Sequence, residues 1–463
     1  MKNMKNIICV LSFVLTIISC KEEAPKDYIL LSGTILDAPS KEFRLSHKDA
    51  KGRFTVKTAE DGAFICDTIF SGTGTYRFSG KGMNRIDIYL ANGGEYNLTT
   101  DGKDMRSTSV LTGPDSNASK YLLTEDSRRD RLRGDFEEFN NLNESDFSAK
   151  ASMIKENLIK YLDSFPDLPS EFAQFEREQL NNYYLLSLVR YQGRHGRNLK
   201  QPDFRVSKEF LKPLEGVDFT NEEAYKHRGW YDELVEEYFV LKAVELADKE
   251  GIDKYLAKLK VFGEIPNDYI KNDLLEAASK YDIAYTDDMD AYYRTFMAVS
   301  TSTENNKVFT KKYDDLKKLS KGAPSPVFTD YVNNAGGTSS LSDFKGKHVY
   351  IDVWATWCGP CLAEVPALKK IEKQYHGKNI EFVSISIDTQ DKREAWSKMI
   401  ADKALGGVQL LADKDWSTDF IKAYKINSIP RFILLDPKGN IVSWNAPRPS
   451  KEELITLFNE LGI

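Results

Sequence analysis

Two cysteines separated by two residues are the part of this 463-residue chain best suited to chemistry. Cys358 and Cys361 lie in the stretch IDVWATWCGPCLAEVP, after an apolar run and before a helical pattern. Such a pair can hold a metal, form a structural disulfide or exchange electrons with other thiols. A zinc site would need two more ligands, and the five histidines form no cluster with ligand spacing. We therefore predict no metal and no other cofactor.

The composition limits the class of protein. With 463 residues, 41% of them hydrophobic, the chain is long enough for two or three domains. A net charge of −6 gives no concentrated basic surface, so we predict no nucleic-acid partner. Five cysteines are too few for disulfide bonds to be the main stabilisation of a chain of this length.

The first twenty residues predict an export signal. Lys2 and Lys5 precede an apolar run, and Ser19 and Cys20 follow it. A membrane-spanning helix is disfavoured because the polar stretch CKEEAPKD comes at once. The ending IISC resembles a bacterial lipobox, which implies lipidation of Cys20. Lys21 resembles an outer-membrane sorting signal. This resemblance implies a bacterial envelope protein, lipid-anchored in the outer membrane and facing the periplasm, with surface exposure left open.

Three blocks follow the signal peptide of residues 1–20. Residues 24–113 contain seven or eight short β-branched or aromatic runs between turns, which predicts an all-β sandwich-like domain. Residues 117–319 show three- and four-residue apolar spacing, which predicts a helical domain without a catalytic constellation. Gly322 begins a proline-rich break, after which strands and helices alternate.

The C-terminal block, residues 322–463, resembles the thioredoxin fold and, within it, the TlpA-like thiol–disulfide oxidoreductases. WCGPC follows an apolar strand, Pro366 lies eight residues after Cys358, and SIPRF carries a proline at the place of the family's cis-proline. The lead-in from GAPSPVFTD to WCGPC resembles that of redoxin domains related to AhpC/TSA proteins. The resemblance implies a multidomain chain that ends in an α/β thioredoxin fold.

The same resemblance assigns roles to the motif, and the physics of a helix start agrees. Cys358 opens the helix, where unpaired N–H groups and the helix dipole favour a thiolate, so it is the attacking cysteine. Cys361 lies one turn later and resolves the mixed disulfide. Gly359 and Pro360 keep the turn tight without adding charge.

Five further residues are candidates for supporting roles. Asp352 matches the buried acid of thioredoxins, which implies that it assists proton transfer from Cys361. No lysine partner is evident in EFVSISID, so the pKa of Asp352 would rise on burial. Glu364 matches an acid common in TlpA-like domains; the alternative is a surface glutamate. Trp357 would shield the disulfide and contact substrate. Pro430 in cis would present the backbone of Ile429 to an incoming peptide.

The predicted function is a membrane-tethered reductase of disulfide-bearing envelope proteins, recharged by a membrane electron donor. An oxidase or isomerase is the first alternative, because the same fold runs both ways. The second is a binding lipoprotein whose redox module is accessory. A peroxiredoxin is disfavoured by Ile351 and Ala355, and a haem site by Leu362, at positions where those families need other residues.

Overall fold

The computed structural model describes residues 27–48, 53–69, 72–227, 229–286 and 288–463. The predicted signal peptide and its lipidation site, Cys20, lie outside these residues. Contacts divide the chain into two compact units that meet at Tyr238 and Phe239. This boundary falls inside the predicted helical domain of residues 117–319, so the predicted domain division stays a prediction. No helix in the described ranges is both long and apolar enough to cross a membrane.

The first unit begins with eight strands in two four-stranded sheets. One sheet has the order β4-β1-β7-β8 and the other β3-β2-β5-β6. The strands are β1 (Ile29–Leu36), β2 (Glu42–His47), β3 (Arg53–Lys57), β4 (Ala63–Ile69), β5 (Gly74–Gly80), β6 (Ile86–Leu90), β7 (Glu95–Asp101) and β8 (Val110–Thr112). Alternate residues of both sheets, including Leu31 and Phe78, enter one core, and Cys66 packs half-buried against it. Two sheets with a shared core agree with the sandwich-like prediction.

The described residues of the first unit also form helices. They are α1 (Met105–Thr108), α2 (Ser116–Arg133), α3 (Phe136–Asn141), α4 (Glu144–Asp163), α5 (Ser170–Asn198), α6 (Glu222–Lys226) and α7 (Trp230–Glu250). Of these, α1 lies between β7 and β8, and α7 continues into the second unit. The basic stretch RYQGRHGR belongs to α5. Its Tyr191 and His195 are buried, and Arg190 forms ion pairs with Glu233 and Glu237.

The second unit begins within α7, continues with four further helices and then forms a seven-stranded mixed sheet in its described residues. The helices are α8 (Lys254–Gly263), α9 (Asp268–Ser279), α10 (Met289–Val299) and α11 (Thr303–Lys317). The sheet has the order β10-β9-β13-β12-β11-β14-β15. Its strands are β9 (Tyr331–Asn333), β10 (Thr338–Ser339), β11 (His348–Trp354), β12 (Ile380–Ser386), β13 (Val408–Leu411), β14 (Arg431–Leu435) and β15 (Ile441–Ser443). Four helices accompany it: α12 (Gly359–Gln374), α13 (Arg393–Lys403), α14 (Asp419–Ala423) and α15 (Glu452–Glu460).

Strand β11 lies at the centre of this sheet and leads into the cysteine motif. It runs parallel to β12 and antiparallel to β14, and its residues from Val349 to Trp354 are all buried. A continuous apolar run is typical of a strand covered on both faces. The proline-rich segment before β9 packs on the sheet, because Gly322 donates its N–H to the Ile441 carbonyl at 2.7 Å and Ser325 contacts the Tyr424 hydroxyl at 2.6 Å.

Candidate redox site

The two cysteines lie at the start of α12, directly after the turn that leaves β11. Cys358 caps the helix, and the N–H of Cys361 donates a hydrogen bond to the Cys358 sulfur at 3.2 Å. The two side chains form a disulfide, and their Cα atoms are 5.2 Å apart. A sulfur that already accepts an N–H at a helix N-terminus is favoured as a thiolate after reduction.

The turn before Cys358 is held by a buried carboxylate that the sequence analysis missed. Asp388 follows β12 and accepts hydrogen bonds from the Thr356 N–H at 2.9 Å and the Thr356 hydroxyl at 2.7 Å. Ser386 donates a third, at 2.7 Å. The carboxyl ends of β11 and β12 are adjacent in the parallel pair, so Asp388 fixes the turn from the neighbouring strand.

The surface of the motif is aromatic. Trp357 is 60% exposed, and its ring centroid lies 6.4 Å from that of Trp416, whereas Cys358 is only 4% exposed. Pro360 occupies the first turn of α12, where its missing N–H costs nothing. A Cβ added at Gly359 would meet no atom within 4 Å, so packing does not require glycine there.

Asp352 is buried on β11, and the strand beside it offers no cation. Its partner in register on β12 is Ser384, which agrees with the absence of the thioredoxin lysine inferred from sequence. Its Oδ1 atom has no hydrogen-bond partner. Burial, and then the nearby carboxylates of Glu372 and Glu364, raise the pKa of Asp352 to about 8.

A small cavity of about 10 Å³ separates β11 from α12. It is lined by Asp352, Trp354, Cys361, Val365, Leu368, Lys369, Glu372, Ser384, Leu405, Gly406 and Gln409. Burial raises the pKa of Glu372 to about 7. The sequence analysis did not select Glu372, although it lies eleven residues after Cys361, about three helical turns, and so on the same helix face.

Glu364 also lies on α12 but in a different environment. It is buried, and it accepts hydrogen bonds from the N–H of Ser450 at 3.1 Å and from its hydroxyl at 3.0 Å. Arg448 lies 3.7 Å from one carboxylate oxygen. The alternative of an ordinary surface glutamate is therefore wrong.

The loop before β14 carries the expected proline geometry. The Ile429–Pro430 peptide bond is cis, in agreement with the sequence-based expectation. Pro430 is buried and Ile429 is half-buried. Backbone pairing of Ile429 with a substrate peptide stays a prediction.

Residues from the preceding helical segment reach this loop, which no sequence pattern indicated. Arg431 follows Pro430, is 3% exposed, and lies against the rings of Tyr285 and Trp444 at 5.2 and 5.4 Å. Asn445 accepts a hydrogen bond from Arg431 at 2.6 Å and donates one to the Ala284 carbonyl at 2.6 Å.

The first unit contains a larger cavity of about 530 Å³ whose lining is strongly charged. Arg77 forms an ion pair with Asp87 at 2.9 Å, and Arg129 forms one with Glu125 at 2.8 Å. Glu176 also lines this cavity, and burial raises its pKa to about 8. Among the described residues, no group of three or more His, Cys, Asp or Glu side chains could hold a metal ion.

Comparison with known proteins identifies relatives of the second unit. Residues 320–456 match the family described as Redoxin. The chain is 34% identical over 137 residues to thioredoxin-like protein YneN of Bacillus subtilis, covering 29% of this chain and 77% of that protein. It is 30% identical over 146 residues to the thiol-disulfide oxidoreductase ResA of Bacillus thuringiensis, covering 32% of this chain and 79% of that protein.

The chain is also similar to solved structures, each over about a third of its length. The thioredoxin domain of a thiol-disulfide oxidoreductase from Bacteroides vulgatus is 31% identical, with a TM-score of 0.28 and coverage of 31% of this chain and 98% of that one. A thiol-disulfide oxidoreductase from Bacteroides fragilis is 30% identical, with a TM-score of 0.27 and coverage of 30% and 98%.

Proposed function

This chain belongs to the Redoxin family of thioredoxin-like proteins and is a thiol–disulfide oxidoreductase, and from that premise we propose that it reduces disulfides in other proteins of the bacterial envelope. Within the family we place it with the TlpA-like branch. Its Cys358–Cys361 pair would carry the electrons, with no metal or bound cofactor.

One observation carries the proposal. The sulfur of Cys358 accepts an N–H bond at the first turn of α12, and Cys361 lies close enough to form a disulfide with it. A structural disulfide would need neither the helix start nor the exposed Trp357 beside it. The arrangement favours one nucleophilic sulfur and one resolving sulfur.

The proposed cycle balances as a two-electron exchange. The Cys358 thiolate attacks one sulfur of a substrate disulfide, and the other substrate sulfur leaves as a thiolate that takes a proton from solvent. Cys361 then loses its proton and attacks Cys358, which releases the second substrate thiol and forms the internal disulfide. The substrate gains two electrons and two protons, and a membrane electron donor with a dithiol restores the Cys358–Cys361 pair.

The resemblance of CGPC to the thioredoxin motif supports the direction of electron flow, because that relative is a reductant. The predicted export signal supports an envelope location, where thiols are not kept reduced by default. A diacylglyceryl group on Cys20 would tether the chain to the outer membrane, facing the periplasm.

Reduction of insulin by dithiothreitol is the direct assay for the full chain. Wild type should accelerate precipitation of the insulin B chain, and Cys358→Ser should abolish the acceleration. Cys66→Ala is the matched control, since it removes a cysteine remote in sequence from the motif, and it should retain activity. Full activity in Cys358→Ser would disprove the assignment.

A trapping experiment identifies the substrates. Cys361→Ser leaves the attacking sulfur but removes the resolving one, so mixed disulfides should accumulate in cells and be identified by mass spectrometry. Capture of envelope proteins with cysteine pairs supports the proposal. Adducts with glutathione alone contradict it.

Metabolic labelling with palmitate tests the tether. Wild type should incorporate label and Cys20→Ala should not, whereas Cys9→Ala, inside the predicted signal peptide, should be labelled as wild type. An unlabelled wild type would remove the lipid anchor from the proposal.

Two alternatives remain distinguishable from a reductase. An envelope oxidase or isomerase would have a less reducing Cys358–Cys361 couple and would be found mainly oxidised in cells. The charged cavity of the first unit favours a second alternative, a binding protein with an accessory redox module. If that alternative holds, cells whose protein lacks both Cys358 and Cys361 should have the same phenotype as wild type.

A further inference from the structure

The cavity beneath Cys361 brings together polar atoms that lack partners. Oδ1 of Asp352 and Oε1 of Gln409 are buried without a hydrogen bond, and both residues line the cavity. Glu372 lines it from α12, and within the described ranges its carboxylate has no hydrogen bond or ion pair, although the charge of Lys369 acts on it. Buried polar groups are almost always paired with protein or water, so a group of unpaired oxygens around a cavity requires an explanation.

The cavity has the size of a single water site. Its volume of about 10 Å³ is near the lower limit for one water, which needs two to four polar partners. Asp352, Glu372 and Gln409 supply such partners. One water could therefore connect the carboxyl on β11 with the carboxyl on α12.

The two carboxyls differ in their access to solvent. Asp352 is buried beneath the disulfide, whereas Glu372 is half-buried. A Cβ built on Gly406 would lie 2.5 Å from Oε2 of Glu372, so the carboxylate lies directly against the backbone of the loop before β13. Glu372 is thus the member of the pair nearer to the surface.

The charged groups around the pair leave Glu372 as the acceptor. Lys369 lines the cavity but donates its ammonium hydrogen bond to the Lys403 carbonyl at 3.0 Å. Glu364 faces the pair but is occupied by Ser450, with Arg448 beside it. The remaining titratable neighbour of Asp352 is Tyr350, whose pKa burial raises well above its ordinary value.

The resemblance to thioredoxins implies that Asp352 takes the proton of Cys361, and we propose that one water and Glu372 extend this path from Asp352 to solvent. The proposal rests on the proposed role of Cys361 as the resolving thiol. Glu372 acts on the cysteine only through Asp352, so it is a positioning residue for the proton and not a catalytic residue.

Each proton in the path has a donor and an acceptor. Before resolution Asp352 is protonated and Glu372 is a carboxylate. When Cys361 attacks the Cys358 sulfur of the mixed disulfide, its S–H bond breaks and the proton moves to Oδ1 of Asp352. The proton that Asp352 held passes through the water to Glu372, which releases it to solvent. Two electrons move from the dithiol to the substrate disulfide, and no other oxidant or reductant is needed.

The test isolates the resolving step without depending on the direction of electron flow. The reduced full chain is mixed with excess oxidised glutathione, quenched with acid and weighed by mass spectrometry, which separates the glutathione adduct from the internal disulfide. Rates are measured between pH 5.5 and 9 and over a range of imidazole concentrations, because imidazole can replace a lost proton acceptor. Glu372→Gln removes the acceptor, and Glu394→Gln, an exposed residue of α13, is the control.

We expect Glu372→Gln to slow resolution about tenfold to a hundredfold at pH 7, within the usual range of acid–base effects. Imidazole should restore the rate, and Glu372→Asp should recover most of it. Wild type and Glu394→Gln should not respond to imidazole. A wild-type rate in Glu372→Gln, or a slow rate that imidazole leaves unchanged, overturns the path. Failure of wild type to reduce insulin would instead overturn the reductase proposal and leave this measurement valid.

Discussion

Two acidic residues near the same disulfide occupy opposite kinds of environment. Glu364 is satisfied: Ser450 donates two hydrogen bonds to its carboxylate and Arg448 lies beside it. Asp352 is buried on β11 with an unpaired oxygen, and the charges that help to raise its pKa are those of two other carboxylates. We call Glu364 with Ser450 and Arg448 the flank of the site, and Asp352 with Glu372 the floor.

The contrast separates structure from chemistry. A carboxylate that accepts several hydrogen bonds joins the elements that supply them, here α12 and the segment before α15. A carboxyl without partners in a low-dielectric site keeps its proton near neutral pH and can exchange it during a reaction. Burying Asp352 without partners therefore lowers the stability of the folded protein but allows proton transfer, whereas Glu364 serves structure alone.

The largest expected effect is on the floor. The folded protein keeps a proton on Asp352 up to about pH 8, whereas the unfolded chain loses it near pH 3.8, so stability falls as pH rises between these values. That difference of about 4 pH units corresponds to at most about 6 kcal/mol, at about 1.4 kcal/mol per pH unit. Asp352→Asn removes the dependence, so its gain in stability over wild type should be greater at pH 9 than at pH 5 in urea unfolding of the oxidised protein.

The exposed Asp391 provides the control for that measurement. Asp391→Asn should keep the wild-type fall in stability with pH. An Asp352→Asn variant that shows the same fall would mean that this carboxyl is ionised in the folded protein at neutral pH, and the contrast between floor and flank would fail.

Neutralising the carboxylate of the flank should lower the stability of the protein, whereas neutralising Asp352 of the floor should raise it. Glu364→Gln loses charge-assisted acceptance from Ser450 and should destabilise the protein by about 1.5–3 kcal/mol. Ser450→Ala keeps the backbone N–H bond and should cost about 1 kcal/mol. Urea unfolding at pH 7 measures both. A neutral Glu364→Gln would show that the flank contributes no structural support.

The smallest effect sharpens the description of the floor. Gly406→Ala places a Cβ where Oε2 of Glu372 lies, and the end of that flexible side chain can move at a cost below about 1 kcal/mol. Since Glu372 helps to raise the pKa of Asp352, the displacement should lower it. Carbon-13 NMR titration of the aspartate carboxyls measures the change, and an unaltered pKa would argue against coupling of the two carboxyls.

Local sequence was sufficient for the elements and for the disulfide pair. The apolar run of β11, the helical spacing of α12 and the motif between them depend on neighbours in the chain, so WCGPC could be placed at a helix start. The cis bond before Pro430 followed from its register in SIPRF. Glu372 could also have been found, since eleven residues from Cys361 return to the same helix face.

Contacts between distant residues could not be predicted. Asp388 follows its own strand in sequence, but its hydrogen bonds to Thr356 depend on the pairing of β11 with β12. Glu364 meets Ser450 across 86 residues. Such contacts leave no trace in the hydrophobic periodicity of the sequence, because each residue fits only the pattern of its own helix or strand.

The buried Arg431 has a consequence for what counts as a module in this chain. The Redoxin match begins at residue 320, whereas Tyr285 and the carbonyl of Ala284, which help enclose Arg431 and its partner Asn445, precede it. A fragment cut at residue 320 would carry the family signature but would bring a guanidinium to the surface beside Pro430. The segment that matches the Redoxin family therefore begins at residue 320, whereas the segment needed to bury Arg431 begins earlier, no later than Ala284.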